Sequence, residues 1–115
     1  MGDHVSTRYK KRRDNNHAEI VATLRAAGYE VRDYASLGHV LDVCVRHGSF
    51  RAWCEVKAPG ERLTAAEIEF CKFAPGLKVV VYGPQDAVDK LAACRSLRHL
   101  YSFEWDHDVI GLEKG

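Results

Sequence analysis

Two strand-length segments separated by His47-Gly48-Ser49 constrain this chain more than any other feature. Val40 to Arg46 reads Val-Leu-Asp-Val-Cys-Val-Arg, and Phe50 to Lys57 reads Phe-Arg-Ala-Trp-Cys-Glu-Val-Lys. Both are rich in β-branched and aromatic residues, and the short connection holds a glycine for the backbone angles of a tight hairpin. Pro59 and Gly60 stop the second strand. Leu41, Val43 and Val45 alternate to one face of the first strand, where a helix would cover them.

The rest of the chain supplies those layers. Asp14 or Asn15 caps a helix running to Ala27, ended by Gly28, with Ile20, Val21, Leu24 and Ala27 as its buried stripe. Tyr29 to Tyr34 reads as a short strand. Thr64-Ala65-Ala66-Glu67 has capping-box spacing and opens a helix through Phe73. Leu77 to Tyr82 is almost wholly apolar, as in an interior strand, and Pro84 opens a helix to about Leu97 with Val88, Leu91 and Ala92 inward. Leu100 to Trp105 has the character of a further edge strand. This order predicts an α/β domain: a mixed sheet flanked by helices, with its first three strands antiparallel.

At 115 residues the chain fits one domain. A formal net charge of +1 conceals an uneven distribution. Arg8, Lys10, Lys11, Arg12 and Arg13 crowd the first thirteen residues, opposed there only by Asp3, and the remainder is net acidic. Residues 1–13 therefore read as a basic, flexible arm on a domain of residues 14–115, and such an arm suits contact with a polyanion. No apolar run approaches the ~20 residues that span a bilayer, and no secretory signal opens the chain, so the expectation is a cytoplasmic protein. Cys44, Cys54, Cys71 and Cys94 form no Cys-x-x-Cys pair and sit among apolar neighbours, as reduced, buried thiols do.

The chemistry concentrates at Asp42 on one hairpin strand and Glu55-Val56-Lys57 on the next. Alternation sends Glu55 and Lys57 to one face and Val56 inward, and hairpin pairing brings Asp42 toward Glu55. Two carboxylates held together repel unless a cation joins them. Magnesium is commonly held by one or two carboxylates plus a phosphate, and it can polarise a phosphodiester and acidify a water. Lys57 would orient the attacking water or neutralise charge growing on the phosphoryl oxygens. The plainer reading of the same residues is an ion pair at a strand edge. Asp106-His107-Asp108, His39 and His47 make weaker candidates, since adjacent strand residues diverge and both histidines fall at loops or strand ends. There is no Gly-rich phosphate loop, nucleophile elbow or His-Glu-x-x-His motif.

Asn16-His17-Ala18-Glu19-Ile20-Val21, Leu24-Arg25-Ala26-Ala27-Gly28, Gly38-His39-Val40-Leu41-Asp42-Val43, Glu55-Val56-Lys57 and Leu63-Thr64-Ala65-Ala66-Glu67 together resemble the virus-type replication-repair (VRR-NUC) branch of the PD-(D/E)XK nucleases. The resemblance runs from about Asp14 to Leu91 and is to the compact stand-alone form found in phages and bacteria. It implies a restriction-endonuclease-like core, Mg²⁺- or Mn²⁺-dependent hydrolysis of DNA, selectivity for branched structures and a homodimer. By that resemblance Asp42, Glu55 and Lys57 carry the chemistry, and Glu19 completes a metal site that also includes Val56. His17, with the basic arm, falls on the side of the nucleic acid. The sequence departs from the family pattern at Leu41, where proline is usual, and at His17 and Glu67, where glutamine is common. Two other functions fit the same fold: a nucleic-acid-binding module that does not cut, and a sequence-specific restriction enzyme. A chain this short has little surface to spare for reading bases.

Overall fold

The computed structural model describes the backbone of residues 3–38, 40–100 and 109–110, and the side chains of residues 15–38 and 40–96. Its elements are α1 (Asp3–Ala26), β1 (Glu30–Asp33), β2 (Val43–His47), β3 (Phe50–Val56), α2 (Ala65–Phe73), β4 (Leu77–Val81), α3 (Pro84–Leu100) and β5 (Val109–Ile110). They make one mixed sheet in the order β1-β2-β3-β4-β5. β1, β2 and β3 pair antiparallel, as predicted, whereas β4 joins β3 in parallel and β5 joins β4 in parallel. Crossovers through α2 and α3 make that parallel half, because parallel neighbours cannot be joined by a tight turn.

The hydrophobic core lies on one side of the sheet. Val43 and Val45 of β2, Ala52, Cys54 and Val56 of β3 and Leu77, Val79 and Val81 of β4 pack with Ile20, Val21 and Leu24 of α1 and Ala87, Leu91 and Cys94 of α3. Residues two apart on a strand share a face, and residues three or four apart on a helix share a stripe. The same rule moves two predicted core positions. Ala27 and Ala92 are exposed, because Ala27 falls in the turn after α1 and the α3 stripe runs 87, 91, 94.

On the other side of the sheet, α2 places Phe70 edge to face on Trp53 at 5.0 Å between ring centres. Its start is the predicted capping box: Glu67 N–H donates to Thr64 Oγ1 at 3.1 Å, and Thr64 N–H donates to Glu67 Oε1 at 2.7 Å. These bonds satisfy donors that the first helical turn cannot.

Three boundaries depart from the sequence reading. Helix α1 begins at Asp3, so the stretch taken as a flexible arm is helical in its backbone. Arginine and lysine are good helix formers, and a helix already nucleated over residues 15–26 propagates through them cheaply. β2 begins at Val43, leaving Val40, Leu41 and Asp42 as irregular chain entering the strand. α3 runs on to Leu100, and the rest of the edge strand expected over 100–105 lies outside the described residues. No helix among the described residues is long and apolar enough to cross a membrane.

Candidate active site

Asp42, Glu55 and Lys57 meet where the antiparallel and parallel halves of the sheet join. Asp42 immediately precedes β2, and its carbonyl accepts from Tyr34 N–H at 2.7 Å, which continues the β1–β2 pairing by one step. Its N–H donates to Glu55 Oε1 at 3.1 Å, and its Oδ2 accepts from Val56 N–H at 2.8 Å. The two carboxylates are thus interlocked through the main chain. Leu41, just before Asp42, is buried in the core. Val56 contributes its backbone and keeps its side chain in the core, as alternation requires.

Lys57 follows the last residue of β3, and its N–H donates to the carbonyl of Val81 at 3.0 Å, so β4 holds its backbone. Glu55 is 3% exposed and Lys57 1%. The Lys57 ammonium lies 2.8 Å from Glu67 Oε1, 3.5 Å from Glu55 Oε2 and 3.9 Å from Glu61 Oε2. Burial works against its charge, but Glu67 first, then Glu55 and Glu61, hold its pKa above the ordinary lysine value. Glu61 also closes the loop after β3 by accepting from Ala58 N–H at 2.9 Å.

The carboxylates divide unequally. Burial, then the hydrogen bond that the protonated carboxyl donates to Glu67 and the charge of Asp42, push the Glu55 carboxyl up to about 10. Glu67, although burial acts against it too, is held down to about 2 by its bonds to Glu55, Lys57 and Thr64. Asp42 is raised by burial, against the opposing Val56 hydrogen bond. Glu55 therefore carries the proton that lets so many carboxylates share one place.

A cavity of about 480 Å³ opens on these groups, lined by Asp42, Glu55, Lys57 and Glu67 and also by His17, Asp33 and Thr64. His17 Nε2 and Asp33 Oδ2 lie 2.9 Å apart. Asn16 turns to the β4 end of the sheet and donates to the carbonyl of Tyr82 at 3.0 Å. His17 continues the stripe of Ile20, Val21 and Leu24 toward the cavity. Glu19, two residues on, is turned ~200° from His17 at ~100° per residue. It is exposed and is not among the residues that line the cavity, so Glu19 is not brought to Asp42 and Glu55.

The donor set suits a hard divalent cation: two carboxylates on adjoining strands, an adjacent backbone and an anionic excess. Among the described residues no group of three or more His, Cys, Asp or Glu forms a ready-made metal cage. Magnesium needs no such cage, since it keeps several waters. Glu67, Glu61 and Asp33 were missed as site residues. Only Glu67 left a signal, the capping box that fixes it at the third helical position. The side chains of Arg8, Lys10, Lys11, Arg12 and Arg13 lie outside the described residues.

No family model matches this chain. Comparison with curated proteins and with solved structures gives no match either.

Proposed function

We propose that this chain is a divalent-metal-dependent endodeoxyribonuclease of the PD-(D/E)XK type, with the layout of its virus-type replication-repair branch. The observation that carries the reading is the buried junction of Asp42 and Glu55, locked through the main chain beside Lys57. A fold gains nothing in stability by burying a carboxyl whose pKa must rise to about 10. A cation would repay that burial. Asp42 and Glu55, with the backbone at Val56, would hold Mg²⁺ or Mn²⁺. Such an ion, when bound, supplies positive charge to a phosphodiester and lowers the pKa of a water.

The chain's own groups do the rest. Lys57 stays charged because Glu67 and Glu55 surround it, and its ammonium is placed to stabilise charge growing on the phosphoryl oxygens. Glu67 holds that ammonium from the first turn of α2, so the helix cap and the lysine share one anchor. His17, paired with Asp33, forms the wall past which the substrate enters. The reading extends, on the resemblance, to structure-selective action on branched DNA by a homodimer.

Incubation with plasmid and with junction DNA, in Mg²⁺ or Mn²⁺ and in excess chelator, tests it. The wild type should cut only with metal, and Asp42→Asn, almost unchanged in shape, should not cut. Cleavage undiminished in chelator, or by Asp42→Asn, overturns the mechanism. Tight binding with no cleavage in any metal would point to the non-cutting module.

A further inference from the structure

The same face of the sheet that carries the carboxylates is basic at its other end. Cross-strand register lays it out in three rows. Tyr34, Asp42 and Glu55 form the row at the cavity. Arg32, Cys44 and Trp53 form the next, and Glu30, Arg46 and Arg51 the last. Arg32, Arg46 and Arg51 are all exposed. Two residues of strand advance ~6.6 Å, so the last row lies ~13 Å from the carboxylates. That equals about four nucleotides of one strand in a duplex, at ~3.4 Å each.

These arginines are poorly explained by stability. Arg46 and Arg51 stand directly opposite each other across the hairpin, where like charges destabilise. Glu30 relieves Arg46 at 2.6 Å. Arg32 and Arg51 have no ion pair among the described residues, and both act on the Cys44 thiol, pulling against the burial that raises its pKa. Trp53, in the row of Arg32 and next to the cavity row, meets Tyr34 at 5.6 Å and Phe70 of α2 at 5.0 Å. The cavity itself is rich in carboxylates and repels phosphate. Affinity for a polyanion must therefore come from beside it.

We infer that Arg32, Arg51 and Arg46 grip phosphates of DNA a few nucleotides from the bond to be cut, holding that strand so that it reaches the Asp42–Glu55 cavity. The inference rests on the nuclease reading above for its choice of DNA. Glu30 then acts as a competitor, holding Arg46 in the absence of phosphate.

The test is binding of a duplex oligonucleotide by the full chain in chelator, followed by fluorescence anisotropy at several NaCl concentrations. Arg32→Gln/Arg51→Gln should make the slope of log affinity against log salt shallower by about 2, one phosphate contact per arginine. Glu30→Gln should tighten binding severalfold by releasing Arg46, an effect of the opposite sign that damage to the fold would not produce. Thermal midpoints of the variants confirm that each is folded. An unchanged slope in the double variant, or no tightening in Glu30→Gln, overturns the inference. Cleavage is read separately in Mg²⁺. Wild-type protein that binds with the arginine-dependent slope yet never cuts leaves this surface standing and removes the nuclease reading. Protein that cuts while the double variant keeps the wild-type slope does the reverse.

Discussion

Ala52, Cys54 and Val56 leave β3 on one side and Trp53 and Glu55 leave it on the other, with Lys57 next in line. Every residue of the first set is buried among α1, α3 and the neighbouring strands, where contact with apolar atoms is all that is asked of it. The second set is also largely buried, but its burial leaves charges that require partners: Lys57 has three carboxylates around it, and Glu55 a proton. One strand thus carries a face that stabilises the fold and a face that weakens it. The difference teaches that burial on the second face is tolerated only through paired charges and a held proton, not repaid by apolar contact. Lys78, fully buried on the same side of β4 as Trp53 and Glu55, extends that polar face into the centre of the sheet.

The largest expected effect lies on the apolar face. Leu24→Ala removes a wholly buried side chain of α1 and should cost about 2–5 kcal/mol of stability. At a temperature where the variant stays folded, its cleavage rate should match the wild type. Denaturant melts paired with a cleavage assay measure both, and a lost rate in folded protein would erase the division between the faces.

Lys57→Met keeps most of the volume and removes the charge. The cleavage rate should fall by roughly 10²–10³, the usual size of losing one preorganised electrostatic group. Stability should fall as well, because Glu67 is left ionised and largely buried beside an apolar chain. Single-turnover kinetics and a thermal melt on the same preparation check both, and a wild-type rate would remove Lys57 from the chemistry.

Glu67 sharpens the comparison, since it serves cap and lysine with one oxygen. Glu67→Gln keeps the side-chain oxygen that accepts from Thr64 N–H and loses the ion pair, whereas Glu67→Ala loses both and keeps only its backbone bond to Thr64 Oγ1. The alanine variant should be less stable than the glutamine variant by about 1 kcal/mol. Equal melting points would mean that the cap contributes nothing measurable.

The smallest effect has the opposite sign. Glu55 is held up to about 10 in the native state by burial first, then by Glu67 and Asp42. In the unfolded chain it ionises near ~4.3. Between those values the unfolded state has released a proton that the native state keeps, so native stability falls as pH rises. Glu55→Gln removes that loss while its amide can still donate to Glu67. The metal-free variant should therefore melt a few degrees higher than wild type at neutral pH, roughly 1 kcal/mol, with a flatter pH profile above pH 5. A variant that melts lower would show that Glu55 is ionised in the native protein.

Much of the architecture was legible because its signals are local. The hairpin around Gly48, the Thr64–Glu67 cap, the apolar run of β4 and the Pro84 helix start each depend on a few neighbouring residues, and each occurs at its expected place. Boundaries were less legible. Asp42 reads as mid-strand from its apolar neighbours, yet β2 begins only at Val43, and Asp42 turns its carboxylate to the Val56 backbone. Helix α1 likewise passes through the basic stretch that composition alone marks as a break.

By itself the sequence determined the periods: which residues share a strand face or a helix stripe, and hence that Asp42, Glu55 and Lys57 belong together. Alternation and helical repeat are properties of the backbone and need no partner. Only the tertiary structure decided the choice among neighbours on α1, where His17 rather than Glu19 turns to the cavity, and the arrival of Glu67 and Glu61 at Lys57. Those depend on how helix and loop rotate against the sheet, which is set by packing the whole apolar face at once. The alignment of Arg32 with Arg46 and Arg51 is of the same kind, since that register exists only after β1 has paired with the hairpin.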